Sequence, residues 1–434
     1  MTSSDARLSS ATDRVLQVVD DGMTAAVAAL TRLVGIPSVS GADDENEAIH
    51  HMSRWMRAIG LDVDHWQVPL DEMLARPDFP GVEVERHEAW GAVGRLPGTA
   101  GDGARRLMFN GHVDVVPPGD RRQWTDDAFS ASIRDGHLFG RGSCDMKAGV
   151  VASMWAVDAI RKAGVVLRGD VIVASVLGEE DGGLGTYATL DRGWRADACV
   201  IPEPTSLDLV PANAGALTFR LTVHGLATHA SRRTEGVSAI ERFVPVMHAI
   251  AELERVRNTH ATPANSPFSL IAPISIGTIA AGDWASSVPD LLVANGRCGV
   301  LPGEPMDDTR DAFEQAVALA CHSDPWLRDH PVEVQWWGGQ FASGRLPDHS
   351  DLLQRVSSAH AAVSAQSQST WTAPYGSDLR LLTGIGGIPT LQYGPGSSAA
   401  AHGPDESVSL AEMHTTARAL AVLALDICEV DRVG

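Results

Sequence analysis

The sequence predicts an α/β protein whose main domain is interrupted by a smaller α+β domain. Helical and strand patterns alternate from about residue 22 to 212, which favours a sheet with helices on both faces. Near residue 214 the strands begin to alternate apolar and polar side chains, as in a sheet with one solvated face. After residue 340 the first pattern resumes, and a chain of 434 residues exceeds the usual size of a single core.

We therefore predict a main α/β domain whose first segment spans 1–213 and whose second segment spans 340–434, with an inserted domain at 214–339. The residue patterns of the first segment predict six elements. These are helices at 22–36, 44–60 and 147–164 and strands at 105–116, 169–178 and 196–204.

The inserted segment has the order β-α-β-β-α-β, a ferredoxin-like arrangement. Its predicted strands are 216–225, 268–279, 290–301 and 331–339, and its helices are 236–257 and 308–322. The second segment of the main domain then adds a helix at 351–363, a strand at 388–396 and a helix at 409–430. The repeated return to strand and helix alternation favours a mixed, largely parallel main sheet.

Composition narrows the class of partner. A formal charge of −21 argues against nucleic acid and against an anionic membrane surface. The sequence has neither an apolar stretch of spanning length nor a secretory leader pattern. The five cysteines are scattered without a CxxC pair, which fits reduced thiols and predicts a cytoplasmic protein.

Residues with metal-binding side chains lie where strands of the main sheet should end, the usual location of sites in α/β folds. "FNGHVDVV" places His112 and Asp114 two apart, so that Asp114 can accept a hydrogen bond from a ring nitrogen of His112. "GRGSCDMKAG" places Asp145 in a glycine-rich turn before a helix. Taken singly, the first is more typical of a surface His–Asp pair, and the second is more typical of an N-cap aspartate.

Three further stretches also place residues with metal-binding side chains after predicted strands. "SVLGEEDGG" places Glu179 and Glu180 after an apolar strand, "IPEPT" places Glu203 after another, and "AAAHGPDE" places His402 in a loop of small residues. Each alone is as easily a solvated loop residue. Together His112, Asp145, Glu180, Glu203 and His402 form an N/O ligand set without sulfur, which suits two divalent ions sharing a carboxylate and a water: zinc, with cobalt or manganese also possible.

These stretches resemble the co-catalytic di-zinc amidohydrolase and peptidase family of acetylornithine deacetylase, succinyl-diaminopimelate desuccinylase, aminoacylase and glutamate carboxypeptidase. "GHVDVVPPGD", "GRGSCDMKAG", "GEEDGG", "EPT" and "THAS" occur in the family's order across nearly the whole chain. The resemblance implies a zinc-peptidase-like catalytic domain and an inserted dimerisation domain.

The resemblance also implies the role of each site residue. His112 and Glu203 would hold one metal, Glu180 and His402 the other, and Asp145 would bridge them. Glu179 would be the general base, Asp114 would orient His112, and the Asp145–Met146 bond would be cis.

Residues of the inserted domain and of the second segment complete this expectation. His229 in "THAS" matches a histidine that reaches into the partner's site in dimeric relatives and stabilises the oxyanion. Arg297 and Arg380 are candidate clamps for a substrate carboxylate, since guanidinium pairs bidentately with carboxylate; a structural salt bridge is the alternative for each. Many relatives carry an asparagine where this chain reads "AGDWASSVPD", so the pocket differs in detail.

The predicted function is hydrolysis of the amide of an N-acylated amino acid or similar small molecule by a water that Glu179 activates. A di- or carboxypeptidase on the same scaffold is the first alternative, and turnover of unmodified dipeptides would distinguish it. A non-catalytic dimeric binding protein is the second, and failure to bind metal would favour it. We expect a small-molecule substrate, a homodimer, and neither nucleic acid nor membrane as partner.

Overall fold

The structure is a computed structural model that describes residues 3–259, 261 and 267–434. Its α-helices are α1 (Ser3–Asp21), α2 (Met23–Val34), α3 (Asp44–Ala58), α4 (Leu70–Leu74), α5 (Ala148–Lys162), α6 (Leu184–Asp191), α7 (Ala239–Asn258), α8 (Met306–Ser323), α9 (Leu352–Ala361) and α10 (Leu410–Ile427). Its first nine strands are β1 (Asp62–Gln67), β2 (Trp90–Leu96), β3 (Leu107–His112), β4 (Ser132–Arg134), β5 (His137–Phe139), β6 (Val165–Leu167), β7 (Val171–Val176), β8 (Ala198–Ile201) and β9 (Leu209–Asn213). The others are β10 (Gly215–His224), β11 (Ile274–Ala281), β12 (Leu291–Val300), β13 (Glu333–Phe341), β14 (Gly344–Arg345), β15 (Thr370–Ala373), β16 (Thr390–Gln392), β17 (Ser407–Ser409) and β18 (Val430–Val433).

A mixed nine-stranded sheet forms the centre of the larger part of the chain. Its order is β1-β2-β7-β3-β8-β16-β9-β14, and β15 pairs with β9. The four strands β7, β3, β8 and β16 are parallel, whereas β1 and β2 are antiparallel at one edge. Every residue of β3 and β7 is buried. Since successive side chains of a strand point to opposite faces, both faces of these strands must be covered.

Parallel strands place their carboxyl ends at one edge of the sheet. The ends of β3, β7 and β8 therefore lie side by side, and the loops that follow them are close in space although they are far apart in sequence. Helices α5 and α6 contact these strands, α5 on β3 and β7 and α6 on β7. This packing fixes the edge where the predicted site residues lie.

The segment between residues 215 and 341 forms a second sheet with its own core. The sheet is antiparallel in the order β11-β12-β10-β13, and α7 and α8 pack against it. Phe219, Phe243 and Phe313 are fully buried in this core. The observed succession β10-α7-β11-β12-α8-β13 is the predicted β-α-β-β-α-β order. The exact boundaries at 213/214 and 339/340 stay predictions.

The predicted fold class is confirmed, with differences at individual elements. Helix α1 was not predicted; its buried Ala11, Val15 and Val19 face a surface built by α5 and α10. The strand predicted at 268–279 begins only at Ile274, because the backbone N–H groups of Ile271 and Ala272 donate to Asn258 Oδ1 (2.9 Å each) instead of to a strand. In the residues that the structure describes, no helix combines the length and the apolar character that crossing a membrane requires.

Candidate active site and metal centre

The predicted metal ligands converge at the carboxyl edge of the main sheet. His112 is the last residue of β3, and Glu203 lies two residues after the end of β8. Asp145 lies in a single irregular turn, Ser143–Lys147, which follows Gly142 (φ +78°) and leads into α5. The Asp145–Met146 bond is cis. His402 lies in the loop between β16 and β17 with a positive φ of 62°.

A first group of side chains is formed by His112, Asp145 and Glu203. His112 Nε2 lies 3.1 Å from Asp145 Oδ1 and 4.0 Å from Glu203 Oε1. The three ligand atoms all lie within 4.8 Å of one another. All three side chains are well buried, with side-chain exposures of 1%, 17% and 6%. One imidazole and two carboxylates at this separation suit a single divalent ion.

A second group shares Asp145 and adds Glu180 and His402. His402 Nε2 lies 3.5 Å from Asp145 Oδ2 and 3.2 Å from Glu180 Oε1, and the three ligand atoms again lie within 4.8 Å of one another. The two oxygens of Asp145 therefore face different histidines. This is the arrangement that a carboxylate bridging two ions requires.

The electrostatics of the cluster fit bound cations. Burial, followed by the neighbouring carboxylates, raises the pKa of Glu179 and of Glu203 well above its usual range. The charge of Glu180 raises the pKa of His402 to about 11. Burial acts to raise the pKa of Asp145 too, but hydrogen bonds to His112 and His402 hold it well below its usual range. Without cations the cluster would thus hold protons that divalent ions would displace.

Glu179 and Glu180 have different surroundings although they are neighbours. Both line one cavity of 230 Å³ with Asp145 and Glu203, but only Glu180 belongs to a group with metal-binding spacing among the described residues. Glu179 is 7% exposed. A buried carboxylate beside the metal groups, but outside them, has the position expected of a proton acceptor.

Asp114 connects His112 to this glutamate pair. Its Oδ1 and Oδ2 accept the backbone N–H groups of Glu179 (3.3 Å) and Glu180 (3.2 Å). Nδ1 of His112 lies 3.0 Å from the backbone oxygen of Asp114 and 3.6 Å from its carboxylate. Both the carbonyl and the carboxylate of Asp114 therefore lie beside Nδ1 of His112, and the orienting role of Asp114 stays a prediction. Burial raises the pKa of Asp114 to about 7.

The sequence analysis missed a buried ion pair that holds the backbone of two candidate metal ligands, Asp145 and His402. Arg141 Nη1 donates to Glu406 Oε2 at 2.5 Å, and both side chains are at most 2% exposed. Glu406 Oε1 accepts the backbone N–H groups of Cys144 (3.0 Å) and Asp145 (3.1 Å), while Arg141 Nη2 donates to the carbonyl of His402 (3.0 Å). The available signal was their position inside the quoted stretches "GRGSCD" and "AHGPDE".

The other predicted site residues lie around or away from the cluster. Arg297, on β12, lines the cavity and its Nη2 lies 3.1 Å from Glu83 Oε1. Arg380 is buried and donates to the carbonyls of Ser377 (2.8 Å) and Gly182 (2.7 Å). His229 is exposed and is absent from the residues that line the cavity.

Comparison with known proteins identifies the family of this chain. The profile described as Peptidase family M20/M25/M40 matches residues 108–426, which is more than half of the chain. The chain belongs to this family. The M20 family is metal-dependent and hydrolyses amide bonds, so the chain is an M20 hydrolase, and the clustered residues are candidate ligands for its metal.

Individual relatives agree with this assignment. The chain is 34% identical over 406 residues to succinyl-diaminopimelate desuccinylase of Cupriavidus necator (89% of this chain, 95% of the relative). It is 26% identical over 438 residues to N-formyl-4-amino-5-aminomethyl-2-methylpyrimidine deformylase of Halalkalibacterium halodurans (96% and 98%). The solved di-peptidase Dug1p from Saccharomyces cerevisiae has the same fold, with a TM-score of 0.76 at 13% identity (97% and 99%).

Proposed function

We propose that this M20 hydrolase is a deacylase that removes the acyl group from an N-acylated amino acid or similar small molecule. The observation that carries the proposal is the pair of metal-binding groups that share Asp145, with Glu179 beside them. The relatives named for deformylase and desuccinylase activity both remove an acyl group from an amine. A panel of N-formyl, N-acetyl and N-succinyl amines, assayed with zinc, cobalt and manganese, tests the proposal.

Two divalent cations, proposed to be zinc, with cobalt or manganese as alternatives, would supply polarisation of the amide carbonyl and a water of lowered pKa. His112 and Glu203 would hold one ion, Glu180 and His402 the other, and Asp145 both. Glu179 then accepts a proton from the attacking water through its carboxylate. It returns that proton to the amide nitrogen, so that the amine leaves with its hydrogen count complete.

The substrate-binding roles of two arginines are part of the proposal. Arg297 has side-chain exposure of 42% and lies in the cavity lining, so we assign it to a substrate carboxylate. Arg380 is almost fully buried and stacks over the Phe341 ring at 3.9 Å. It would act on the substrate only through a rearrangement of its bonds to backbone carbonyls, so its proposed clamp role is secondary.

A di- or carboxypeptidase remains the alternative function, because the fold of the solved di-peptidase Dug1p covers nearly the whole chain. Unmodified dipeptides in the same panel separate the two functions. If the enzyme hydrolyses dipeptides but does not hydrolyse N-acyl amines, the peptidase function would replace the deacylase proposal. A purified protein that binds no divalent metal would instead favour a non-catalytic binding protein.

We also propose a homodimer formed through the inserted domain. Exposed apolar residues of that domain lie on α7, on the edge strand β11 and in the loop after β11, where Trp284 is 73% exposed. They include Ile240, Val244, Met247 and Ile279. Burying such a patch is a common reason for self-association. The acidic charge and the five free, buried cysteines support a cytoplasmic location and argue against nucleic acid as a partner.

The dimer proposal gives His229 a role in the partner's site, where it would donate to the oxyanion. Complementation tests this role. Neither His229→Ala nor Glu179→Gln should be active alone, whereas co-expression of the two chains should restore activity, because a mixed dimer contains one site with both residues intact. If co-expression restores nothing although mixed dimers form, His229 does not act across the dimer.

A further inference from the structure

One tyrosine hydroxyl at the site has no acceptor in the described part of the chain. The chain contains three tyrosines. Tyr187 Oη donates to Asp78 Oδ1 (2.9 Å), and Tyr393 Oη lies 2.9 Å from His360 Nδ1. Tyr375 Oη is enclosed, yet among the residues that the structure describes it has no hydrogen-bond partner. Leaving a buried polar group unpaired is destabilising, so this hydroxyl calls for a reason.

Tyr375 lines the same cavity as the metal-binding carboxylates. It follows β15 by two residues, and its backbone is held in place there. Asn213 Nδ2 donates to the Tyr375 carbonyl at 3.1 Å, and the N–H of Ala214 donates to Ala373 at 2.7 Å. Asn213 itself is fully buried. The ring is therefore presented to the cavity by a rigid strand end and not by a mobile loop.

The surroundings of the hydroxyl favour its protonated form. Burial, followed by the charges of Glu203 and Asp145, raises the pKa of Tyr375 well above its usual range. In the metal-loaded enzyme the oxygens of Glu203 and Asp145 would face cations, so they would be poorer acceptors for this O–H. Apart from the Glu179 carboxylate, which is assigned to the attacking water, the acceptor that substrate binding would add to this cavity is an oxygen of the substrate.

We propose that Tyr375 is a further catalytic residue, whose Oη–H donates a hydrogen bond to the oxyanion of the tetrahedral intermediate. The inference rests on the proposed amide hydrolysis. Water oxygen bonds to the carbonyl carbon while the carbonyl π pair moves to oxygen, and Glu179 takes the water proton. When the carbonyl re-forms, the C–N bond breaks and Glu179 delivers the proton to nitrogen. Tyr375 keeps its own proton throughout and stabilises only the charged oxygen.

The test removes the hydroxyl and nothing else. Tyr375→Phe should lower kcat about 10²-fold, the usual cost of one oxyanion donor, and leave KM within about 3-fold, because the bond forms only in the transition state. Tyr393→Phe, which also deletes a buried hydroxyl but lies outside the cavity lining, is the matched control and should keep kcat. Metal content is measured for each protein and should equal that of the wild type.

A binding experiment provides a readout that is independent of turnover. Methylphosphonate mimics the tetrahedral oxyanion of an acetyl group, and acetate is its planar counterpart. Measured by calorimetry, Tyr375→Phe should weaken the binding of methylphosphonate at least about 10-fold. The affinity for acetate should stay unchanged. Unchanged kcat, a rise in KM alone, or equal weakening of both ligands would overturn the inference. Absence of turnover by the wild type would instead reject the proposed function.

Discussion

Two groups of buried carboxylates flank the glutamate turn at 179–183, and they are held in opposite ways. On one side Arg86 lies between Glu45 (2.8 Å) and Asp181 (2.9 Å), with all three side chains at most 5% exposed. On the other side the partners at hydrogen-bond distance of the Asp145 and Glu180 carboxylates are the imidazoles of His112 and His402. The first group contains its own permanent cation, whereas the second leaves room for divalent ions.

This difference separates a structural cluster from a functional one. In the Arg86 cluster the guanidinium satisfies both carboxylates, and Asp181 Oδ2 also accepts the backbone N–H groups of Glu83 and Val84. Its task is to hold the glutamate turn against the loop before β2. The site cluster has more carboxylates than its two histidines can neutralise. This excess of negative charge favours the binding of metal ions.

The largest expected effect is on turnover. Glu179→Gln removes the proposed base but no metal ligand, so kcat should fall by about 10³-fold, within the usual range for general-base catalysis. Elemental analysis should still find two metal equivalents per chain. If the variant binds both metals and keeps most of its activity, the assignment of Glu179 as the base is wrong.

A large effect on stability is expected from the cluster with the internal cation. Arg86→Met leaves Glu45 and Asp181 buried without compensation and should lower the free energy of unfolding by about 3–5 kcal/mol in urea titrations. Arg54→Met is the control, because Arg54 and Glu47 form an exposed pair worth less than about 1 kcal/mol. Equal destabilisation by the two substitutions would remove the distinction between the clusters.

Metal removal should reverse the pH dependence of stability. Groups whose pKa is raised on folding, here Glu179, Glu203 and His402, stabilise the fold below their unfolded pKa and lose that contribution as pH rises through the folded value. The chelated protein should therefore lose stability from about pH 4.5 upward. Asp145, whose pKa is lowered, opposes this only below about pH 4.

The metal-loaded protein should behave in the opposite way, because protons compete with metal for the ligands and stability then falls with falling pH. Thermal unfolding with zinc or with a chelator, at about pH 5, 7 and 9, measures both trends. A chelated protein that is as stable at the highest as at the lowest pH would contradict the prediction.

A smaller effect on metal affinity is expected at the buried pair Arg141–Glu406. Glu406→Gln keeps an oxygen for the N–H groups of Cys144 and Asp145 but removes the charge facing Arg141. Metal affinity should fall about 10–100-fold, as for other groups that orient metal ligands. Glu304→Gln breaks the pair with Arg257 in the inserted domain (2.7 Å) and should leave metal affinity unchanged. Competition with a fluorescent chelator measures the metal affinity of both variants. If the two variants bind metal with equal affinity, Glu406 does not orient the metal ligands.

The smallest effect concerns Arg297, whose charge is shared between Glu83 and the cavity. Arg297→Met should raise KM about 10-fold for substrates that carry a carboxylate and leave KM unchanged for N-acyl amines without one. Kinetics on matched pairs of substrates measure this. An equal change of KM for both kinds of substrate would show that Arg297 supports the inserted domain and does not bind the substrate carboxylate.

Much of the fold and the site could be predicted because the signals are local. Strands such as β3 and β7 are short apolar runs, and their acids follow directly in "GHVD" and "GEEDGG". The residues that escaped prediction act through contacts between distant positions. Arg141 and Glu406 are 265 residues apart, and Arg86 and Asp181 are 95 apart. Tyr375 is notable because its hydroxyl lacks a partner among the described residues. No local pattern distinguishes such residues from ordinary surface ones.

The sequence by itself determined the alternation of elements, the inserted β-α-β-β-α-β order and the types of ligand, since periodicity and residue chemistry are written along the chain. The family resemblance implied how those candidate ligands divide, and only the tertiary structure decided the distances between their side chains. The parallel strands bring their ends to one edge, and there the two oxygens of Asp145 face His112 and His402 separately. Distances across a sheet depend on register and packing, and these are properties of the folded chain as a whole.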